Sequence, residues 1–251
     1  MCTLVLLRRP DHEWPVIIGA NRDEMKSRPF HPPARHWPEF PDIIAGYDVL
    51  AKGSWLGINE SGVVAGIMNR QNSLGPEKGK RSRGELVIEA LNHGDATAAV
   101  EALSQINSDA YRSFNLIIAD NMDAYWLRHK GDKTPVEVIA IPAGLSFFTA
   151  YDRNDDRSPR VRAYLPRFEA ANPPNPNKND WREWQNLLAN KLYSTETGPE
   201  GAMTVTGPGE FGTVCSSLIA LPSIHNRKAP AFLFAHGKPG EARYEAVDFE
   251  G

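Results

Sequence analysis

Met1-Cys2-Thr3-Leu4-Val5-Leu6-Leu7 and, after a short polar break, Val16-Ile17-Ile18-Gly19-Ala20-Asn21-Arg22-Asp23-Glu24 decide how this chain is read. Thr3–Leu7 and Val16–Ala20 are short, apolar and partly β-branched, the pattern of strands buried on both faces. Between them, residues 8–15 are polar and hold two prolines, so residues 3–20 are predicted to form a hairpin. A hairpin lays the end of its second strand beside the start of its first. Asn21 to Glu24 are therefore expected close to Cys2. In extended backbone Asn21 and Asp23 face one way, and Arg22 and Glu24 the other.

Cys2 is the residue this placement makes informative. A cysteine after the initiator methionine is small enough for Met1 to be removed, and Cys2 would then carry a thiol and a free α-amine. An unperturbed α-amine has a pKa of about 7.7–8.0 and a thiol about 8.5, so the amine can take the thiol proton near neutrality. Nucleophile and base then belong to one residue. Taken alone, Cys2 reads rather as an incidental apolar residue opening a strand, and Asn21–Glu24 as a solvated strand end with Arg22 and Glu24 paired. The expected proximity of the two favours chemistry.

The rest of the chain repeats a simple order. Strands are predicted at Ile43–Ala45, Leu50–Ala51, Trp55–Ile58 and Gly62–Met68, with a Pro-rich loop over residues 25–40 and a polar loop over 69–83. Helices follow at Glu85–Asn92 and Ala96–Ile106, the second with Val100, Leu103 and Ile106 on one face. Ser82 and Glu85 have the spacing of a capping box. Strands return at Phe114–Ala119, Ala124–Arg128, Val136–Ile141 and Leu145–Thr149. A helix over Ser158–Ala171, which Pro166 should kink or end, and a Pro/Asn linker over residues 172–180 come next. A helix over Trp181–Leu192 is capped by Asp180, with Trp181 and Trp184 read as core residues. Ser216–Leu221 and Ala231–Ala235 close the chain. Strands, two helices, strands, two helices and strands describe an α+β protein of two sheets with helices outside them, not βαβ alternation. The whole of residues 1–251 is read as one domain.

Composition narrows the function classes. With 41% hydrophobic and 24% charged residues, the 251-residue chain can bury a core without disulfide or metal. A net charge of -3 with intermixed signs argues against a nucleic-acid footprint. No apolar stretch approaches the roughly 20 residues of a membrane span, and the short run Leu4–Leu7 precedes its charges, the reverse of a signal peptide. A cytoplasmic protein acting on or carrying a small molecule is expected. The two cysteines, Cys2 and Cys215, cannot build a disulfide framework. The seven histidines form no metal-ligand pattern, and the glycines of residues 53–66 have the spacing of tight turns, not of a phosphate cradle.

The run Asn21-Arg22-Asp23-Glu24 resembles the signature of the NRDE family, also called the transport-and-Golgi-organisation family. Gly53-Ser54-Trp55-Leu56-Gly57-Ile58-Asn59, Met68-Asn69-Arg70, Ser82-Arg83-Gly84-Glu85-Leu86-Val87, Phe114-Asn115-Leu116 and Phe211-Gly212-Thr213 follow in that family's order. The resemblance implies an N-terminal-nucleophile (Ntn) hydrolase-like fold, a four-layer αββα sandwich of two antiparallel sheets. A more distant likeness is to the cysteine Ntn acylases that cleave conjugated bile salts and penicillin V, which also begin Met-Cys-Thr. It implies that Cys2 is the nucleophile, that Asp23 holds the terminal amine and that Asn69 donates to the oxyanion. Asn21, Arg22, Glu24 and Trp55 are then expected to line the substrate site, with no cofactor and no metal. Those acylases have an arginine three residues before the aspartate, where this chain has Ala20, and their later asparagine and arginine have no match by sequence. Some members of the family move haem between compartments. The resemblance therefore implies a second function class, haem or another amphipathic ligand carried on the same fold. Covalent haem attachment is excluded by the absence of Cys-x-x-Cys-His.

Overall fold

The computed structural model describes residues 2–131, 133–206, 209–226 and 228–250. The hairpin forms. β1 (Thr3–Arg8) pairs antiparallel with β2 (Val16–Met25), with Thr3 opposite Asn21 and Leu6 opposite Ile18. β2 does not stop at Ala20 but continues through the whole polar run. β3 (Phe30–Ala34) lies in the stretch expected to be loop, and its prolines mark an edge strand. β4 (Ile43–Asp48), β5 (Leu56–Asn59) and β6 (Val64–Asn69) follow. Leu50 and Ala51 are not a strand: their N–H groups cap Asp48 Oδ1 in a turn. Beyond α1 (Gly84–Leu91) and α2 (Ala96–Ser104) come β7 (Phe114–Ala119), β8 (Ala124–His129), β9 (Glu137–Ala140) and β10 (Gly144–Phe148). The chain ends through α3 (Pro159–Ala170), α4 (Arg182–Leu188), β11 (Phe211–Leu221), β12 (Ala231–Ala235) and β13 (Tyr244–Ala246).

Two antiparallel sheets result. One has the order β10-β1-β2-β11-β12-β13 and the other β3-β4-β5-β6-β7-β8-β9. Alternation along each strand divides the core into three layers. Leu4, Leu6, Ile18 and Ile219 of the first sheet meet Ile44, Leu56, Val64 and Met68 of the second. Val5 and Ile17, one residue out of step, pack outward on Tyr164, Phe168 and Trp184 of α3 and α4. Val87, Leu91 and Leu103 of α1 and α2 cover the far side of the second sheet against Ile43, Leu116 and Leu127. The predicted αββα sandwich is the observed one. At Gly19 α4 packs close on the first sheet, since a Cβ there would stand 3.1 Å from the Trp184 ring.

Three local expectations are corrected. Ser82 Oγ accepts from Gly84 N–H, not from Glu85, while Glu85 accepts from Tyr111 and pairs with Arg81, so the capping box does not form. Pro166 neither ends α3 nor disrupts it, because it lies on the exposed face, where water can serve the carbonyl one turn back. The helix predicted over residues 181–192 is only Arg182–Leu188; Asp180 Oδ1 accepts from Arg182 N–H at 3.3 Å, and Trp181 and Trp184 are buried.

Candidate active site

The site lies where β1, β2 and β11 turn from apolar to polar. The Cys2 Sγ is 3.7 Å from the carbonyl oxygen of Asp23. Met1, whose removal would free the amine, lies outside the described residues. Because Thr3 is opposite Asn21, Cys2 falls level with Arg22 and on the same face, that of the inter-sheet layer. Cys2, Arg22, Trp55, Leu56, Met68 and Cys215 line one pocket. The space beside the thiol is small, about 20 Å³ for the centre of a water molecule, which is room for about one water-sized group. Burial pushes the Cys2 thiol above its usual value, and the Asp23 carboxylate acts in the same direction, while Arg22 opposes them. Cys215, wholly buried, is likewise pushed up by desolvation.

β2 presents its polar run to two layers. Facing the second sheet, Arg22 donates from Nη2 to Asp48 Oδ2 at 2.9 Å, and its guanidinium lies 4.3 Å from the Trp55 ring centroid. Its Nη1 is buried and has no hydrogen-bond partner among the described residues. Such a donor loses its hydration with nothing in exchange. Glu24 stands 3.8 Å from both Arg22 and Arg28, and Arg28 binds Asp48 with two nitrogens. A Cβ on Gly46 would stand 2.3 Å from the Trp55 ring, so this glycine is the floor on which the ring lies.

On the opposite face Asp23 is fully buried. Its Oδ2 accepts from Arg160 of α3 at 2.9 Å and its Oδ1 from the Thr213 hydroxyl at 2.6 Å. Arg160 also donates to the Thr3 hydroxyl. Thr213 reaches Asp23 through a β-bulge. The ladder pairs Cys215 with Arg22 but Thr213 with Asp23, leaving Val214 as the extra residue. One extra residue reverses the facing of what precedes it, so the hydroxyl of Thr213 and the thiol of Cys215 point to opposite layers. Asn21 belongs to the Asp23 face, and its amide is fully committed. Its Nδ2 donates to the carbonyls of Leu188 and Met203, both at 2.9 Å, and its Oδ1 accepts from Ser216 at 2.7 Å. Asn21 thus ties the end of α4 to the sheet, and it is also among the residues that line the pocket. Asn69 ends β6 opposite Phe114, next in the chain to pocket-lining Met68.

Asn115 carries no free group either: it accepts from Arg70 and Trp126 and donates to the carbonyls of Thr149 and Tyr151, tying the second sheet to the chain beyond β10. Sequence reasoning passed over Arg160 and Thr213 as parts of the site. Arg160 was one arginine among several in residues 146–160; a signal for Thr213 existed in the motif Phe211-Gly212-Thr213. Among the described residues no group of three metal-ligating side chains gathers, and no helix is long and apolar enough to cross a membrane.

The family model Transport and Golgi organisation 2 matches residues 1–221. The chain belongs to that family. No curated protein matches the sequence. Among solved structures, the fold is similar to a Caenorhabditis elegans orthologue of N-acylethanolamine-hydrolyzing acid amidase, with a TM-score of 0.56 at 15% identity over 87% of this chain and 92% of that one. It is also similar to a mutant of the conjugated bile acid hydrolase of Clostridium perfringens, with a TM-score of 0.55 at 11% identity over 100% of this chain and 93% of that one. The fold of this Transport and Golgi organisation 2 chain is therefore that of the Ntn-hydrolase acylases, as its resemblance implied.

Proposed function

We propose that the chain is an amidohydrolase that cleaves a non-peptide C–N amide bond of a small molecule through Cys2. With Met1 removed, the α-amine accepts the thiol proton and the sulfur attacks the amide carbonyl. The tetrahedral intermediate collapses to a thioester as the amine, now bearing the shuttled proton, leaves. Water then attacks the thioester, gives its proton back through the same α-amine and releases the acid. Asp23, held by Arg160 and Thr213, anchors the amine end of Cys2. Asn69 and a backbone N–H donate to the oxyanion, a contribution of about 3–4 kcal/mol per donor in comparable sites. Arg22 and Trp55 form the wall against which the acyl group lies, and Glu24 holds Arg22 and Arg28 at the mouth.

One observation carries this reading: the thiol of Cys2 shares a pocket with Arg22, whose buried Nη1 has no partner among the described residues and calls for an incoming oxygen. The similar acylase structures support it at the level of the fold. Carriage of haem or another amphipathic ligand would require this pocket to open, since ligands of drug size occupy cavities of about 300–1,000 Å³. The test is to verify removal of Met1 by mass, then to offer the protein a panel of amides and a thiol-directed electrophile, with a haem titration alongside. Turnover lost in Cys2→Ser, with selective labelling of Cys2, supports the hydrolase. No turnover, no labelling of Cys2 and a shifted Soret band would replace it with the carrier.

A further inference from the structure

The charged groups around the pocket are paired, with one exception. Glu24 and Asp48 face Arg22 and Arg28, and Asp23 faces Arg160. Arg83, at the start of α1, has no carboxylate within ion-pair reach among the described residues. Its Nη1 donates to the Ser73 hydroxyl and the Ser113 carbonyl, both neutral and both at 2.9 Å. Its Nε and Nη2 bind no protein group among the described residues. Four guanidinium groups thus meet three carboxylates. Burial, with Arg112 nearby, lowers the Arg83 guanidinium to about 10, which marks it as a cation held without its counterion.

Arg83 does not itself line the Cys2 pocket, but its contacts join it to the chain segments that do. Ser113 directly precedes Phe114, the ladder partner of Asn69. Gly84, the next residue after Arg83, accepts from Ser54 N–H at 3.0 Å, and Ser54 adjoins Trp55. Arg83 therefore bridges the chain ends that carry Asn69 and Trp55, where Glu24, and Cys2 once ionised, favour its charge. In the pocket, Arg22 Nη1 is a second donor without a partner among the described residues. A neutral ligand would leave Arg83 uncompensated, whereas an anion would neutralise it where water is already partly excluded.

We propose that Arg83 is the anion subsite of the Cys2 pocket, so that the amide cleaved is one bearing a carboxylate or phosphate. The proposal deepens the hydrolase reading and rests on it for the word substrate, but anion recognition at Cys2 can be measured without turnover. Iodoacetate and iodoacetamide alkylate the same sulfur and differ by one negative charge. The full chain is labelled with each, the site is located by peptide mass, and the ratio of the two rates at Cys2 is compared among wild type, Arg83→Gln and Arg83→Lys. The ratio is expected to fall about tenfold in Arg83→Gln and to stay within about twofold in Arg83→Lys. A merely structural role, clamping Ser73 to Ser113, would move both rates together and leave the ratio unchanged; that result overturns the proposal. Should Arg83→Gln fail to fold, wild type alone decides. Inorganic phosphate must then slow iodoacetate more than iodoacetamide, and equal slowing overturns the proposal. If neither reagent labels Cys2, it is the nucleophile reading that fails. Melting with inorganic phosphate then tests Arg83 by itself: a phosphate-dependent rise present in wild type and absent in Arg83→Gln supports the subsite, and equal rises or none reject it.

Discussion

Removing the charges of Asp23 and Arg160 together should cost less stability than the sum of the costs of removing each alone. The carboxylate is 0% exposed and the guanidinium 3%, at 2.9 Å. Neither charge can turn to water when its partner is lost. Breaking a buried pair from one side costs about 3–5 kcal/mol, because the remaining charge stays desolvated. Asp23→Asn keeps an oxygen for the Thr213 hydroxyl, so its cost falls mainly on the Arg160 contact. Arg160→Gln removes the same contact from the other side. In the double variant neither charge of the pair remains. A total stability of about 5–15 kcal/mol leaves the single variants folded but marginal. Urea denaturation of wild type, both single variants and the double variant gives the coupling, expected at about 2 kcal/mol, against the roughly 0.5 kcal/mol within which independent sites add. The same Asp23→Asn protein should alkylate faster at Cys2 at neutral pH, since the carboxylate raises that thiol, and should lose amide turnover because the amine end is unanchored. Additive stabilities, or a Cys2 that alkylates more slowly in Asp23→Asn, would refute the two-faced placement of the carboxylate and the thiol.

Gly46→Ala should displace the Trp55 ring, which a Cβ would meet at 2.3 Å, at a cost of about 1–3 kcal/mol; a changed tryptophan emission and a changed Cys2 alkylation rate check it, and the Arg22 stack should loosen with the ring. Asn115→Leu should cost about 3 kcal/mol or more in urea, because it strands two buried donors and two carbonyls. Burial holds the His129 imidazole below its ordinary value. The folded form therefore favours the neutral ring, and its contribution is present above the unfolded pKa of about 6.5 and lost as the pH falls below that; His129→Gln should lose less stability than wild type between about pH 7 and pH 5.5 in parallel urea melts.

Strands buried on both faces were legible because burial leaves a continuous apolar run, as in Leu4–Leu7 and Phe114–Ala119. The ends of strands were not. β2 runs on through Asn21–Glu24 and β11 starts at Phe211, because the polar residues there are satisfied by partners far along the chain: Arg160, Thr213, Leu188 and Asp48. A polar strand end and a solvated loop look alike until those partners are known. β3 was hidden by its prolines, which an edge strand tolerates. The facing of Asn21 and Asp23 against Arg22 and Glu24 needed only the two-residue period, and it holds. The expected cap at Ser82 failed because Glu85 is taken by Tyr111 and Arg81, tertiary contacts that local spacing does not reveal. Arg160 is 137 residues from Asp23, and only topology joins them.

The division of labour at the site follows from one strand having two faces. Cys2 is level with Arg22, so a thiol placed there must look into the inter-sheet pocket, where an acyl group can lie against Trp55. Asp23 is one residue on and must look the other way, into the layer under α3. The carboxylate therefore sits apart from the thiol, while its backbone carbonyl remains 3.7 Å from the sulfur. That separation suits an N-terminal nucleophile: a carboxylate facing the sulfur would oppose thiolate formation still more strongly than burial already does, whereas one held behind the strand can serve an amine. The bulge at Val214 completes the arrangement. In a regular ladder Val214 would stand opposite Asp23 and offer it no hydroxyl; the extra residue brings Thr213 there instead, without disturbing the Cys215–Arg22 register that closes the pocket. Pocket and anchor are thus set by the parity of β2 and one inserted residue in β11.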